Sequence, residues 1–196
     1  MFVFVIDALQ QKFWPVWQKE YIDELQISLL EHLDASQINC LNEETEHDLK
    51  SILVSKKLNT SSSYLESGAD AQLLLSIHFN QAVGVRTLIL HSKDPSRGPK
   101  VLKILVNKPA ISFTDVEDAG DKTFAQIIEL SEDDVKDGKP IALRFVRFKN
   151  VTGLHIFVES NQSGDDDVQT RIDAIDVLGV TVEATKNLSG LRQEDD

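Results

Sequence analysis

Cysteine is almost missing from this sequence: Cys40 is the only one in 196 residues. A lone thiol closes no internal disulfide, forms no Cys-x-x-Cys pair and supplies no multi-cysteine zinc site, which argues against redox catalysis within the chain. Glycine-rich phosphate loops are also absent. There is no Gly-x-Gly-x-x-Gly, no Walker sequence and no Gly-x-Ser-x-Gly elbow, so the enzyme classes built on them lose their main support. Positive charge is scarce, with 20 Lys and Arg against 32 Asp and Glu and a net charge of −12. Such a surface is repelled by phosphate backbones and anionic lipid, so neither nucleic acid nor membrane is an expected partner. Long apolar runs are lacking too. Phe2–Ile6 is stopped by Asp7 and has no basic stretch before it, unlike a targeting segment, so a cytosolic or nuclear location is expected.

What is present is enough hydrophobic sequence, 41% of the chain, for one medium-sized domain with a proper core. In the N-terminal stretch, which holds Trp14 and Trp17, the residues Ile22, Leu25, Leu29 and Leu33 recur every three or four positions. That spacing predicts a helical stripe, and Pro15 interrupts whatever precedes it. Beyond Ser62 the period falls to two, the signature of half-buried strands. Leu73, Leu75, Ile77 and Phe79 share one face, and Val83, Val85, Thr87 and Ile89 repeat the pattern after an Asn80-Gln81 break. Leu102, Ile104 and Val106 predict another strand, as do Phe124, Ile128 and Leu130, then Leu154, Ile156 and Val158, and lastly Arg171–Gly179 with Val180 and Val182. In Leu143–Lys149, Leu143 and Phe145 have one parity and Val146 and Phe148 the other, which predicts a bulged strand or one buried on both faces. Ser131-Glu-Asp-Asp134 resembles a capping box and predicts one helical turn. Many short alternating strands without crossover helices predict an all-β sandwich.

Candidate chemistry is thin. The histidines His32, His47, His78, His91 and His155 include no helical metal pair, although His78 and His155 could share a sheet surface. Either they bind a metal there or they are ordinary satisfied histidines. Cys40 sits between apolar neighbours and is expected to act as a small buried hydrophobe. The acidic runs are expected to be solvated loops, with a calcium site in the Asp165–Asp167 loop as the alternative, although the EF-hand spacing is absent. Charge segregation is more informative. Residues 115–137 hold nine acids against Lys122 and Lys136, whereas residues 86–108 hold six cations against Asp94. Arg144, Arg147 and Lys149 would form a second basic strand. Arg86, Arg97, Lys100, Lys103, Arg144, Arg147 and Lys149 are therefore the candidate partner-binding residues, a positive patch suited to an acidic protein. Balanced strands with snorkelling side chains are the competing explanation.

Six blocks in order carry a family resemblance: Cys40-Leu-Asn-Glu43; Tyr64–Ser67 with Asp70–Leu74; Phe79-Asn-Gln81; Gly98-Pro-Lys100 followed by Ile104–Asn107; Phe145–Asn150; and Ile156–Gln162. Together they resemble the PITH domain, the proteasome-interacting C-terminal module of certain thioredoxin-like proteins. The resemblance implies a jelly-roll β-sandwich like the galactose-binding-domain folds, and association with the proteasome regulatory particle in cytoplasm and nucleus. It divides the chain into an N-terminal extension at 1–29, partly helical, a sandwich at 30–185 and an acidic tail at 186–196. Redox-active family members carry a thioredoxin domain with a Cys-x-x-Cys pair. This sequence has no such pair and its first 30 or so residues do not resemble that fold, so reductase activity is not implied. No catalytic residue, metal or cofactor is expected. The alternative is a carbohydrate- or small-ligand-binding sandwich, for which Trp14, Trp17, Tyr21 and Tyr64 are the available stacking platforms.

Overall fold

The computed structural model describes residues 26–182. Within them lie ten strands: β1 (Ile27–Ser28), β2 (Asn39–Leu41), β3 (Leu65–Glu66), β4 (Leu73–His91), β5 (Pro99–Val106), β6 (Gln126–Glu129), β7 (Ile141–Ala142), β8 (Val151–Asn161), β9 (Arg171–Ile172) and β10 (Ala174–Thr181). All pairings are antiparallel, as the absence of crossover helices predicts.

The organising element is β4, whose 19 residues run unbroken through the Asn80-Gln81 segment. Its first half lies between β2 and β8, and β8 continues through β5 to β6. Its second half lies between β10 and β7, with β1 outside β10. The register with β8 breaks between His78 and Val83, where Asn80 and Gln81 are exposed. The expected break is therefore a corner, at which one strand passes from the first layer into the second. One core fills the space between the layers, with Leu73, Leu75, Ile77, Leu102, Ile104, Leu154, Ile156 and Val158 from the first and Val85, Leu88, Leu90, Ile175 and Val177 from the second.

The inward set on β4 differs from strict alternation. Thr87 pairs with Leu178 while Val85 pairs with Gly179, which leaves Arg86 as an extra residue, a β-bulge. Val83 and Val85 face the core as expected, but beyond the bulge the core takes Leu88 and Leu90 in place of Thr87 and Ile89. The bulge lies beside a backbone approach that demands glycine. A Cβ at Gly179 would stand 2.1 Å from the Gly84 carbonyl oxygen, and one at Gly84 would stand 3.0 Å from the Phe145 ring.

Helical turns are scattered among the strands, not confined to an N-terminal segment. They are α1 (Leu49–Leu53), α2 (Phe113–Glu117), α3 (Glu132–Asp137) and α4 (Phe145–Phe148), besides several 3-10 turns. The Ser131 capping box opens α3, and Gly138 closes it at a left-handed φ of 59°. Of the expected N-terminal stripe, Ile22 and Leu25 lie outside the described residues. Leu29–His32 forms a single 3-10 turn capped by Ser28, and it buries Leu29 and Leu30. β1 pairs with β10, so the folded body takes in residues that the 29/30 boundary assigns to the extension.

The expected strand over Leu143–Lys149 is replaced by α4, and its conflicting parities resolve at a spacing of three. Phe145 and Phe148 fall on one side, with Phe148 fully buried, while Arg144, Val146, Arg147 and Lys149 are exposed. There is accordingly no second basic strand. A smaller cluster of Leu74, Leu105, Phe124 and Phe157 with Val116 of α2 covers the outer face of the first layer.

Candidate interaction surface

The candidate basic residues separate into three places. Arg97 ends the 3-10 turn before β5, where its guanidinium pairs with Glu66 and its Nε donates to the Gln169 carbonyl at 2.9 Å. Lys100 is half-buried at the start of β5, and its carbonyl accepts from the Leu130 N–H. Lys103 lies on the outer face of the first layer, with Nζ 2.6 Å from Glu159 and 5.5 Å from the Phe124 ring centroid. Arg86 is held beneath α4, its Cζ 4.1 Å from the Phe145 ring centroid. Arg144, Arg147 and Lys149 are exposed along α4 itself. The structure thus gathers Arg86 with the α4 cations. Arg97 and Lys100 belong to the other end of β5, roughly 23 Å away at ~3.3 Å per strand residue.

Two residues outside the sequence-derived set join the α4 group. Lys108 lines a cleft of about 350 Å³ with Leu105, Val106, Thr123, Ala125 and Arg147. Lys122 lines a neighbouring recess of about 210 Å³ with Asp121, Phe124, Ala125, Gln126, Ile127, Arg144 and Arg147. Arg147 and Ala125 are common to both. Lys122 sits in the acid-rich stretch, where no local pattern marks it as part of a positive group. Among the described residues, Lys108, Lys122, Arg144, Arg147 and Lys149 make no ion pair, whereas Lys93, Arg97, Lys103, Lys139 and Arg171 all do. Val146, between the two arginines, is 81% exposed.

The surface is held in place by its neighbours. Gln126 of β6 accepts from the Arg144 N–H at 2.9 Å and donates to the Ala142 carbonyl at 3.2 Å, which fixes the entry to α4. Arg147 donates from Nη1 to the Phe124 carbonyl at 3.1 Å. At the exit Asn107, left-handed at φ 58°, accepts from the Thr152 N–H at 2.8 Å and donates to the Asn150 carbonyl at 2.8 Å. Asparagine tolerates that conformation better than most residues. Asn42 works similarly at φ 65°, donating to Asp70 and to the Gln72 carbonyl, both at 2.7 Å. Ser67 donates to the Asp70 carbonyl, which ties down the loop entering β4. These block residues are scaffolding.

The other candidates are spent on structure. His78 and His155 do meet, with ring centroids 5.4 Å apart. His155 Nε2 donates to the Lys108 carbonyl at 3.0 Å, leaving Nδ1 to accept from the Ser76 hydroxyl at 2.9 Å. Neither nitrogen is free for a metal. Burial holds this imidazole below its ordinary value, against the opposing hydrogen bond to Lys108. Cys40 is buried, and burial, seconded by the Glu43 charge, pushes its thiol far up. Tyr64 stacks on His47 at 3.9 Å and lies 3.8 Å from the Arg171 guanidinium. Two groups that close to one centroid occupy opposite faces of the ring. Arg171 in turn grips the buried Asp173 at 2.8 and 2.9 Å. Burial would raise that carboxyl, but Arg171 and the Lys93 N–H outweigh it and hold it below its ordinary value. Among the described residues no three His, Cys, Asp or Glu side chains converge on a metal position.

The PITH domain family model matches residues 19–196. The chain belongs to the PITH domain family. Thioredoxin-like protein 1 of Schizosaccharomyces pombe is 35% identical over 158 residues, 76% of this chain, and the chain spans about half (50%) of that relative's length. PITH domain-containing protein 1 of Xenopus laevis is 28% identical over 83% of this chain and 75% of its own length. PITH domain-containing protein CG6153 of Drosophila melanogaster is 30% identical over 82% and 72%. Among solved structures, this PITH domain shares its fold with a CBM32 domain from a Clostridium perfringens family 31 glycoside hydrolase. The TM-score is 0.56 at 11% identity, covering 81% of this chain and 97% of that one. The family 32 CBM of C. perfringens NanJ, solved with galactose, gives a TM-score of 0.55 at 9% identity over 78% and 98%. These likenesses establish the jelly-roll-like sandwich. Family membership supports a protein-interaction role for the chain.

Proposed function

We propose that this PITH domain docks on the regulatory particle of the proteasome, in cytoplasm and nucleus, through the α4 surface. The observation that carries the reading is the group of cations without ion-pair partners at Lys108, Lys122, Arg144, Arg147 and Lys149, set around the exposed Val146 on a chain of net charge −12. Paired surface charges are already compensated, whereas unpaired ones of one sign steer and orient a partner of the other sign. The family match supports the choice of partner. The test is retention of the purified domain on purified regulatory particle in native gels. Binding at low salt that weakens as salt is raised supports the reading. No retention at low salt overturns it.

The galactose seen in the NanJ structure raises a sugar-binding alternative, but the residues here disfavour it. Such a site needs an open aromatic face, and both faces of Tyr64 are covered by His47 and Arg171. Trp14, Trp17 and Tyr21 lie outside the described residues.

A further inference from the structure

We infer that the α4 surface recognises an acidic linear segment bearing an apolar side chain, with Arg147 as the carboxylate anchor. This deepens the docking reading and rests on it. Arg147 forms the shared wall of the two clefts, and its guanidinium is oriented by the Phe124 carbonyl, which uses one donor and leaves the others for a carboxylate. The larger cleft combines that wall and Lys108 with the apolar Leu105, Val106 and Ala125. Val146 stands between Arg144 and Arg147 with nothing covering it. An occupant must therefore answer both charge and hydrophobicity. A purely anionic polymer would satisfy the cations and leave these apolar groups and Val146 wet. A peptide alternating carboxylates with an aliphatic residue satisfies both. Asp121, the one acid lining the recess, sets the limit on negative charge at that end and favours the peptide carboxylates lying toward Arg147 and Lys108.

The probe is a fluorescein-labelled peptide in which Glu-Asp pairs alternate with single leucines, titrated by anisotropy at low salt. Binding to the wild-type domain is expected, with about a tenfold or greater loss of affinity in Arg147→Glu, the scale set by a charge-assisted hydrogen bond. Val146→Asp, at an exposed site that leaves the core intact, is expected to lose binding too. Lys57→Glu, the same charge change on the exposed loop after α1, is expected to have no effect. An unbound peptide, an equal loss in Lys57→Glu, or equal binding of inorganic polyphosphate overturns the inference. Retention of the regulatory particle by the same wild-type preparation would then leave the docking reading standing without it. Peptide binding without particle binding would do the reverse.

Discussion

Replacing Asn107 by Ala removes a clamp from the edge of the α4 surface without touching the core. The side chain makes two good hydrogen bonds, to the Thr152 N–H and the Asn150 carbonyl, both at 2.8 Å, and two weaker ones, to the Thr152 hydroxyl at 3.2 Å and the Gly153 N–H at 3.3 Å. Each good bond is worth about 1 kcal/mol net, because water replaces part of what is lost at this partly exposed site. Alanine held at φ 58° adds about 1 kcal/mol of left-handed strain that asparagine largely escapes. The expected loss is about 3 kcal/mol. Asn107→Gly loses the same bonds but not the conformation, so it should cost less, about 2 kcal/mol. Urea unfolding at constant m-value measures both. A loss below about 0.5 kcal/mol for alanine, typical of a neutral surface site, would refute the clamp, and glycine proving worse than alanine would refute the strain argument. Because the clamp holds the chain that leaves α4, the alanine variant should also bind the acidic peptide more weakly.

Other outcomes follow from the same geometry. Gly179→Ala would put a Cβ 2.1 Å from the Gly84 carbonyl oxygen; separating β4 from β10 there should cost about 3 kcal/mol or more, read as a lower thermal midpoint or loss of soluble protein. His155 has a folded pKa below its unfolded value near 6.5, so the unfolded chain binds more protons between the two. Its contribution to stability is complete above the unfolded value and is lost as pH falls through the folded one. Urea titrations at neutral and mildly acidic pH should show this drop in the wild type and a smaller one in His155→Gln. Cys40 should resist a thiol reagent in the native domain and react promptly once urea exposes it; fast labelling of folded protein would contradict its burial.

Much of the sandwich is legible in the sequence because period-two alternation reports one-sided burial directly. Leu73–Phe79, Leu102–Val106 and Leu154–Val158 lie where it places them. The Ser131 turn is equally legible, since a capping box is chemistry within four residues. What escapes depends on distant partners. The Arg86 bulge is a shift of register against β10, where Thr87 meets Leu178 and Val85 meets Gly179, and nothing near Arg86 in sequence announces it. The α4 turn is a four-residue element, too short to establish a helical period, so its mixed parity imitates a two-faced strand. The candidate surface was half legible: charge segregation singles out Arg144, Arg147 and Lys149. Only the fold shows that Arg97 and Lys103 are already neutralised by Glu66 and Glu159 and that Lys108 and Lys122 belong to the group.

Because β4 is stitched into both walls, neither can be peeled away while the other persists. The amides of its two buried arms, on either side of the exposed Asn80-Gln81 corner, should accordingly release their protons to deuterated solvent last and together, at the rate of whole-molecule opening. A partner tugging on α4 would meet a body that gives way all at once or not at all.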